Sequence, residues 1–538
     1  MTIRSLRTQL ADDPDVGAGN VLTARIALGL DLDVPLLSFD TPVDGHPAWQ
    51  PFTLRELDRA VRARAAALHG LGVTRRDPVV VYASDAADHV LSFLALARLG
   101  AVPALLNPNL DGERAARYIA RLGAVGVLAD PAHLAELAGH DTGVPLLPEI
   151  AGLGAGDPDA APEPYRHWSG DPVAITHSSG TTGMPKAVVH SHASLYAAIR
   201  HRLRLPRPQG QDRMLSALPA PHAATLIALN LALSSHTELA LLSRQSGDGM
   251  LEAVERWRPS GVIGFAATWA DLARHDLNAR DLDSVALWWN TGDCAHEVHI
   301  RRLIATGSRE TVTRNGRTRL PGSQFVDGLG STEMGHSHFF ITHGPGTDRY
   351  GRCVGRPHAF VDCEVVGPDG EPLGPGEVGE LATASPTLAL GYWNDSATTF
   401  RTRLRGRFLT GDLMYRDEEG YYYHVDRAVD SVELDGGKRL FTAMSEERVL
   451  AACPDVLDCT VVAVRDGERV VTDVLLVLAA GADEAADRTG AVVAALDEAA
   501  AATVRKVLVV SPDDIPLGPT GKVRKVLLRE RHLAAVGA

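Results

Sequence analysis

From residue 53 onward, helical stretches alternate with short, uninterrupted apolar runs, and this alternation restricts the fold more than any other feature of the chain. Thr53-Leu-Arg-Glu56 has the form of a capping box and opens a helix that ends near Gly70. Pro78 to Tyr82 is then apolar throughout, as expected of a strand buried on both faces. A helix over about Ala86 to Leu99 precedes a second such run, Val102 to Leu106, and another helix precedes Val125 to Ala129. The pattern returns between Met250 and Trp289. Strand and helix in strict alternation predict α/β units around mostly parallel sheets.

The texture changes after about residue 350. Gly and Pro become frequent, as in the stretch from Val366 to Gly376, and short turn-linked strands predict a β-rich subdomain ending in a strand at Tyr421 to Val425. The residues from about 430 read as a separate small α+β unit. It has a helix near Ser445 to Ala452, strands Cys459 to Val464 and Val470 to Leu478, a helix Ala491 to Ala501 and a strand Val504 to Val510. The expected organisation is a core over residues 1–426, a hinge at 427–430 and a C-terminal cap over 431–538. The fold class is α/β: two mostly parallel sheets plus a β-rich subdomain, followed by the small α+β cap. A chain of 538 residues suits several domains at about 150 residues each.

Bulk chemistry narrows the function classes. A net charge of -14 argues against general binding to nucleic acid or to an anionic membrane, since both need a positive field. Five cysteines, an odd count with no C-x-x-C spacing, argue against a disulfide framework or a zinc site. The first residues lack an apolar signal region, and the most apolar stretch, Leu226 to Ser243, is broken by Asn230, Ser234, His236 and Glu238. That stretch reads as a buried helix. The expected setting is cytoplasmic and the expected partner a small molecule, with neither nucleic acid nor membrane; self-association is left open.

The strongest chemical signal is Ile175-Thr-His-Ser-Ser-Gly-Thr-Thr-Gly-Met-Pro-Lys186. Glycines let several backbone N–H groups converge on one point, and serine and threonine hydroxyls add donors. Such a loop suits a polyphosphate, and the terminal lysine adds charge. Its spacing is not that of a Walker loop.

With this loop the sequence resembles the adenylate-forming superfamily of acyl-CoA synthetases, luciferases and peptide-synthetase adenylation domains. Further segments resemble that family in its own order: Asp327-Gly-Leu-Gly-Ser-Thr-Glu333, Gly391-Tyr-Trp-Asn-Asp395, Phe408-Leu-Thr-Gly-Asp412, Asp426-Arg427 and Pro516-Leu-Gly-Pro-Thr-Gly-Lys522. The resemblance implies AMP-forming chemistry with ATP, Mg²⁺ and, for acid ligases, coenzyme A. It implies that Ser178, Ser179, Gly180, Thr181, Thr182, Gly183 and Lys186 wrap the β- and γ-phosphates. It implies that Asp327 accepts from the adenine amino group, with Leu329 and Gly330 against the ring, and that Thr332 touches the α-phosphate. Glu333, with Thr182, would hold Mg²⁺. Asp412 would grip the ribose hydroxyls beside Arg427, and Lys522 would bridge the substrate oxygen and the α-phosphate. An oxyanion attacking a phosphate brings two anions together, so cations must neutralise the approach.

His222 reads either as a gate of the acyl pocket or as an interior histidine. Trp288-Trp289 reads as core. Several positions depart from the family. Leu329 stands where an aromatic ring usually stacks on adenine, Ala187 where the phosphate loop usually closes with glycine, and Val429 where the hinge is usually polar. Thr291-Gly292-Asp293 occupies the place of a small, neutral substrate-binding stretch. Asp293 would oppose a nearby carboxylate by about 1–4 kcal/mol, unless it only caps a helix beginning at Ala295-His-Glu. Arg314-Asn-Gly-Arg-Thr-Arg319 reads as an inserted hairpin.

Three readings follow. The first is activation of a small or aromatic acid with transfer to coenzyme A. The second is a diazotase that adenylates nitrite and delivers it to an aromatic amine, with Asp293 orienting the amine. The third, a non-catalytic nucleotide binder, is opposed by the retention of Lys186, Glu333, Asp412 and Lys522.

Overall fold

The computed structural model describes residues 3–178, 184–313, 316–518 and 521–536. Its architecture is α/β. One sheet of six strands takes the order Gly391–Tyr392, Lys186–Ser191, Pro172–Ser178, Val102–Leu106, Pro78–Tyr82, Gly126–Ala129. The predicted strands Pro78–Tyr82 and Val102–Leu106 fall at those residues, pair in parallel, and are almost wholly buried. The helix before them, Leu54–Gly70, starts on the capping box: the Thr53 hydroxyl accepts from the Glu56 N–H, and the Glu56 carboxylate accepts from the Thr53 N–H.

A second sheet has fourteen strands. Its parallel half carries Pro35–Phe39, Glu238–Leu241, Arg213–Ser216, Gly261–Gly264, Leu287–Asn290 and Gln324–Asp327 in spatial sequence. The β-rich region is not detached from it. Strand Phe339–His343 pairs antiparallel with Gln324–Asp327 and continues the sheet through Cys353–Pro357, Tyr422–Arg427 and Arg407–Arg416. Trp288 is fully buried on one face, where Trp269 meets it edge to face at 5.9 Å and in turn meets Phe325, and its Nε1 donates to Ser323 Oγ at 2.9 Å. Trp289 packs toward the opposite face.

The C-terminal residues build their own sheet, Val456–Asp466, Arg469–Leu478 and Val504–Val509, turned at Gly467 with φ 60°. Two stretches differ from the sequence expectation. The Leu226 to Ser243 run is helix only to Ser234, within Ala223–Ser234, and then gives the strand Glu238–Leu241. Apolarity alone does not separate a buried helix from a buried strand. The expected helix Ala491 to Ala501 is two pieces, Thr489–Ala495 and Glu498–Ala501, because the Asp497 side chain accepts from the Ala500 N–H and starts a new turn. Local capping there outweighs alanine's preference for helix.

The hairpin is present as Ser308–Thr313 paired antiparallel with Gly316–Pro321; Arg314 and Asn315 lie outside the described residues. Arg319 Nε donates to Ser308 Oγ at 2.6 Å, and Arg317 pairs with Glu310 at 3.3 Å, so these arginines serve the hairpin itself. Among the described residues no helix is long and apolar enough to cross a membrane. All five cysteines are free thiols.

Candidate active site

Parallel strands bring their carboxyl ends to one edge, where ligands of open α/β sheets gather. The candidate residues occupy the loops that leave these ends. His222 follows Arg213–Ser216, Phe265 follows Gly261–Gly264, Thr291-Gly292-Asp293 follows Leu287–Asn290, and the segment from Gly328 to Glu333 follows Gln324–Asp327. The loops lie against one another. Gly330 N–H donates to Gly292 O at 2.9 Å, and Thr291 Oγ1 is 2.8 Å from Ser337 Oγ. A Cβ at Gly330 would stand 2.7 Å from His336 O and Ser337 Cα, so only glycine fits.

Beneath this floor, Asp327 is 1% exposed. Its carboxylate accepts from Asn290 Nδ2 at 2.6 Å and from the Ala295 N–H at 3.3 Å. Burial raises its pKa to about 7 against these donors. The carboxylate thus faces interior donors. Leu329 is buried with Cys294, Phe339 and Val354.

Thr332 and His222 converge. His222 Nδ1 accepts from the Ala224 N–H at 3.1 Å and caps the helix Ala223–Ser234, which leaves the proton on Nε2, 3.4 Å from Thr332 Oγ1. Burial, with His177 and Lys522 nearby, pushes the His222 pKa down to about 3, so the ring is neutral. Phe265 meets it edge-on at 4.8 Å.

Ser178 ends the strand Pro172–Ser178 and stands opposite Lys186 in an antiparallel pair. The two residues hold the base of the phosphate-type loop; Ser179, Gly180, Thr181, Thr182 and Gly183 lie outside the described residues. Lys186 Nζ sits 5.4 Å from the centre of the Tyr392 ring. Tyr392 Oη donates to Glu333 Oε1 at 3.1 Å, which leaves Oε2 free of that bond. The Gly-Tyr-Trp segment therefore brings Lys186 and Glu333 to one aromatic ring.

Asp412 and Arg427 face each other across an antiparallel pair of strands, with Arg427 Nε 3.1 Å from Asp412 Oδ1. Burial opposes the Asp412 charge, but Arg427 and then His424 outweigh it and hold the carboxyl below its ordinary range. His424 Nε2 stands 3.6 Å from Asp412 Oδ1, oriented by Arg352, whose Nη2 donates to His424 Nδ1 at 2.7 Å.

Lys522 arrives from the C-terminal unit. Its Nζ lies 3.4 Å from Asp293 Oδ2, and Arg352 Nη2 lies 3.9 Å from Asp293 Oδ1. Burial works against the Asp293 charge; Lys522, His424, Arg352 and Arg427 together overcome it and keep the carboxylate ionised. Asp293 does not cap the following helix. That helix is Glu297–Ile304, and Glu447 of the C-terminal unit accepts from the Glu297 N–H at 3.2 Å. The same Glu447 has Oε2 2.5 Å from His296 Nδ1. Nearer the hinge, Asp426 is buried and accepts from Thr442 N–H and Oγ1, and Lys525 Nζ joins Thr442 Oγ1 at 2.7 Å to Glu446 Oε1 at 2.8 Å.

Sequence reasoning missed Arg352, His424, Asn290 and the link from Tyr392 to Glu333. The available signal was faint. Arg352 takes φ 64° between Gly351 and Cys353, a backbone state unusual for arginine, and His424 sits inside the Tyr-rich strand before Asp426.

A family model described as AMP-binding enzyme matches residues 38–393. A 3-aminoavenalumate diazotase from Streptomyces sp is 43% identical, over 99% of this chain and 98% of that one. A feruloyl-CoA synthase from Amycolatopsis sp is 28% identical over 77% of this chain and 81% of its own length. Among solved structures, an anthranilate CoA ligase in complex with anthranoyl-AMP superposes with a TM-score of 0.82 at 21% identity, covering 98% of this chain and 99% of that one. The chain belongs to the AMP-binding enzyme family and is an adenylate-forming enzyme.

Proposed function

We propose that this enzyme is an ATP-dependent diazotase, which adenylates nitrite and delivers the nitrosyl group to an aromatic amine. The observation that carries the reading is Asp293, an ionised carboxylate 3.4 Å from Lys522, in a stretch that acid ligases keep small and neutral. An amine nitrogen that attacks an electrophile becomes cationic as its bond forms, and a fixed carboxylate stabilises that charge. A thiolate attacking the same centre is anionic and is opposed by it. At about 4 Å the difference is roughly 1–4 kcal/mol in each direction. The cations around Asp293 also make it a weak base, so it orients and stabilises an amine N–H rather than removing the proton. The whole-length similarity to a diazotase supports the same conclusion.

In the first half-reaction a nitrite oxygen attacks the α-phosphorus of ATP and pyrophosphate leaves. Lys522 neutralises the meeting of two anions, and Lys186 draws the leaving phosphates toward the base of its loop. Asp412, with Arg427 behind it, receives the ribose hydroxyls. Thr332, backed by the neutral His222, faces the α-phosphate. Mg²⁺ fits the donor set: it is commonly held by one or two carboxylates plus substrate phosphates. Glu333, whose Oε1 is oriented by Tyr392, supplies such a carboxylate and Thr182 a hydroxyl, and the ion would neutralise phosphate charge there.

In the second half-reaction the amine lone pair forms an N–N bond to the nitrosyl nitrogen. The N–O bond to AMP breaks, AMP leaves with the electron pair, and the amine nitrogen loses one proton. The resulting N-nitrosamine tautomerises, takes one proton on oxygen and loses water to give the diazonium ion. Withdrawal of Lys522 with a cap over 431–538, pivoting at 427–430, would leave Asp293 facing the amine with its nearest cation gone. A reducing, cytoplasmic setting accords with five free thiols.

The second reading, acyl transfer to coenzyme A, draws on the feruloyl-CoA synthase similarity. AMP formation separates the two. With nitrite and an aryl amine the enzyme should form AMP without coenzyme A; with aryl and short-chain acids plus coenzyme A it should form little. Robust turnover of acids that is indifferent to nitrite would end the diazotase proposal.

A further inference from the structure

Beyond the Thr291–Ser337 contact lies a cluster of basic and aromatic side chains that the chemistry above does not use. Trp289, in the strand Leu287–Asn290, stands two residues before Thr291 in the loop that leaves it. Arg202, at the carboxyl end of the helix Ser194–Leu203, lays its guanidinium 5.5 Å from the centre of the Trp289 ring. His336, which follows Glu333 by three residues and adjoins Ser337, lies 5.7 Å ring to ring from His358. His358 stacks between Phe340 at 4.5 Å and Phe360 at 5.1 Å, and His201 meets Phe360 edge-on at 5.1 Å.

Among the described residues this cluster pairs with no anion. Among the described residues no carboxylate pairs with Arg202, none accepts a hydrogen bond from its guanidinium, and its Nε is buried without a partner. Among the described residues, the charged neighbour that acts on it is another cation, Arg7. Arg202 is half-buried, and a guanidinium partly withdrawn from water favours a partner of opposite charge. Its planar fork matches a carboxylate, and the surrounding rings offer flat apolar walls to whatever links that carboxylate to the reacting end.

We infer that Arg202, with His201, His336 and His358 around it, binds a carboxylate at the far end of the aromatic amine, so that the substrate is an amino-substituted aryl carboxylic acid held by its acid while its amine meets the activated nitrite. The acid is then a recognition handle rather than the group activated. This inference rests on the diazotase reading for what the amine does, and on the Arg202 cluster alone for where the acid binds.

The test is equilibrium binding of 3-aminocinnamate and of its methyl ester to the full-length enzyme by calorimetry, with nitrite absent. The wild-type enzyme should prefer the acid by about 10-fold or more, from charge-assisted hydrogen bonds to the guanidinium. Arg202→Gln should weaken acid binding by about 10- to 100-fold, leave ester binding and ATP binding unchanged, and so erase the preference. Arg202→Lys should restore part of it. A wild-type enzyme without preference, or an Arg202→Gln variant that keeps the preference or loses acid and ester alike, would overturn the inference. Because nitrite is absent, the outcome is independent of whether nitrite is the group adenylated.

Discussion

Replacing Lys522 with alanine lowers kcat for adenylate formation by about 10²–10³-fold, the loss expected for one preorganised charge aimed at a transition state. ATP affinity stays near its wild-type value. The lysine lies 3.4 Å from Asp293, close enough to His222 to depress that ring's pKa, and it reaches the site from the C-terminal unit. In the mechanism proposed above it meets the incoming oxyanion at the α-phosphate, and its ammonium contributes most as charge builds between them, not in the bound ground state. The variant leaves Asp293 accepting from the Cys294 N–H at 2.9 Å, with the Arg352 guanidinium at 3.9 Å, so the carboxylate is not stranded. Reaction of a preformed adenylate with the amine should survive. Rapid-quench measurement of adenylate formation and a separate ATP Kd check both halves; adenylation near the wild-type rate would remove Lys522 from the site.

Asp412→Ala should weaken ATP binding by about 10- to 100-fold, since two ribose hydroxyls donating to one carboxylate are charge-assisted bonds of roughly 1.5–3 kcal/mol each, partly offset by water. Arg427 at 3.1 Å and His424 at 3.6 Å keep a buried carboxyl ionised, so it presents lone pairs and no proton through the neutral range. Removing it also leaves Arg427 facing a void, so Asp412→Asn, which keeps shape and one acceptor, should lose less. An ATP Kd unchanged in the alanine variant would contradict the assignment.

Much of this was legible in the chain, for identifiable reasons. Pro78–Tyr82 and Val102–Leu106 could be bounded to the residue because strands buried on both faces are apolar from end to end. The capping box fixed the start of Leu54–Gly70 because both of its hydrogen bonds are local. Asp497 was the opposite case, where one side chain split an alanine-rich run that propensity joins. At the site, residues inside contiguous motifs were readable, whereas their supports were not. Arg352 orients His424 from 72 positions away, and Asn290 reaches Asp327 across 37, so neither pair leaves a local trace. Asp293 departs from its family in sequence, but the fold alone has it face Lys522 and Arg352 rather than cap Glu297–Ile304. Arg202 had no signal at all, since what distinguishes it is the absence of an anion around it.

The central claim is that nitrogen, not carbon, is the centre activated. Incubation of the enzyme with ATP, Mg²⁺, an aminoaryl carboxylic acid and ¹⁵N-nitrite, followed by coupling of the product to a phenol and mass spectrometry, tests this directly. The account predicts an azo product carrying one ¹⁵N atom, AMP formed in step with it, and no requirement for coenzyme A. An acyl-CoA thioester of the aryl acid formed with coenzyme A, with no ¹⁵N in any product, would contradict it.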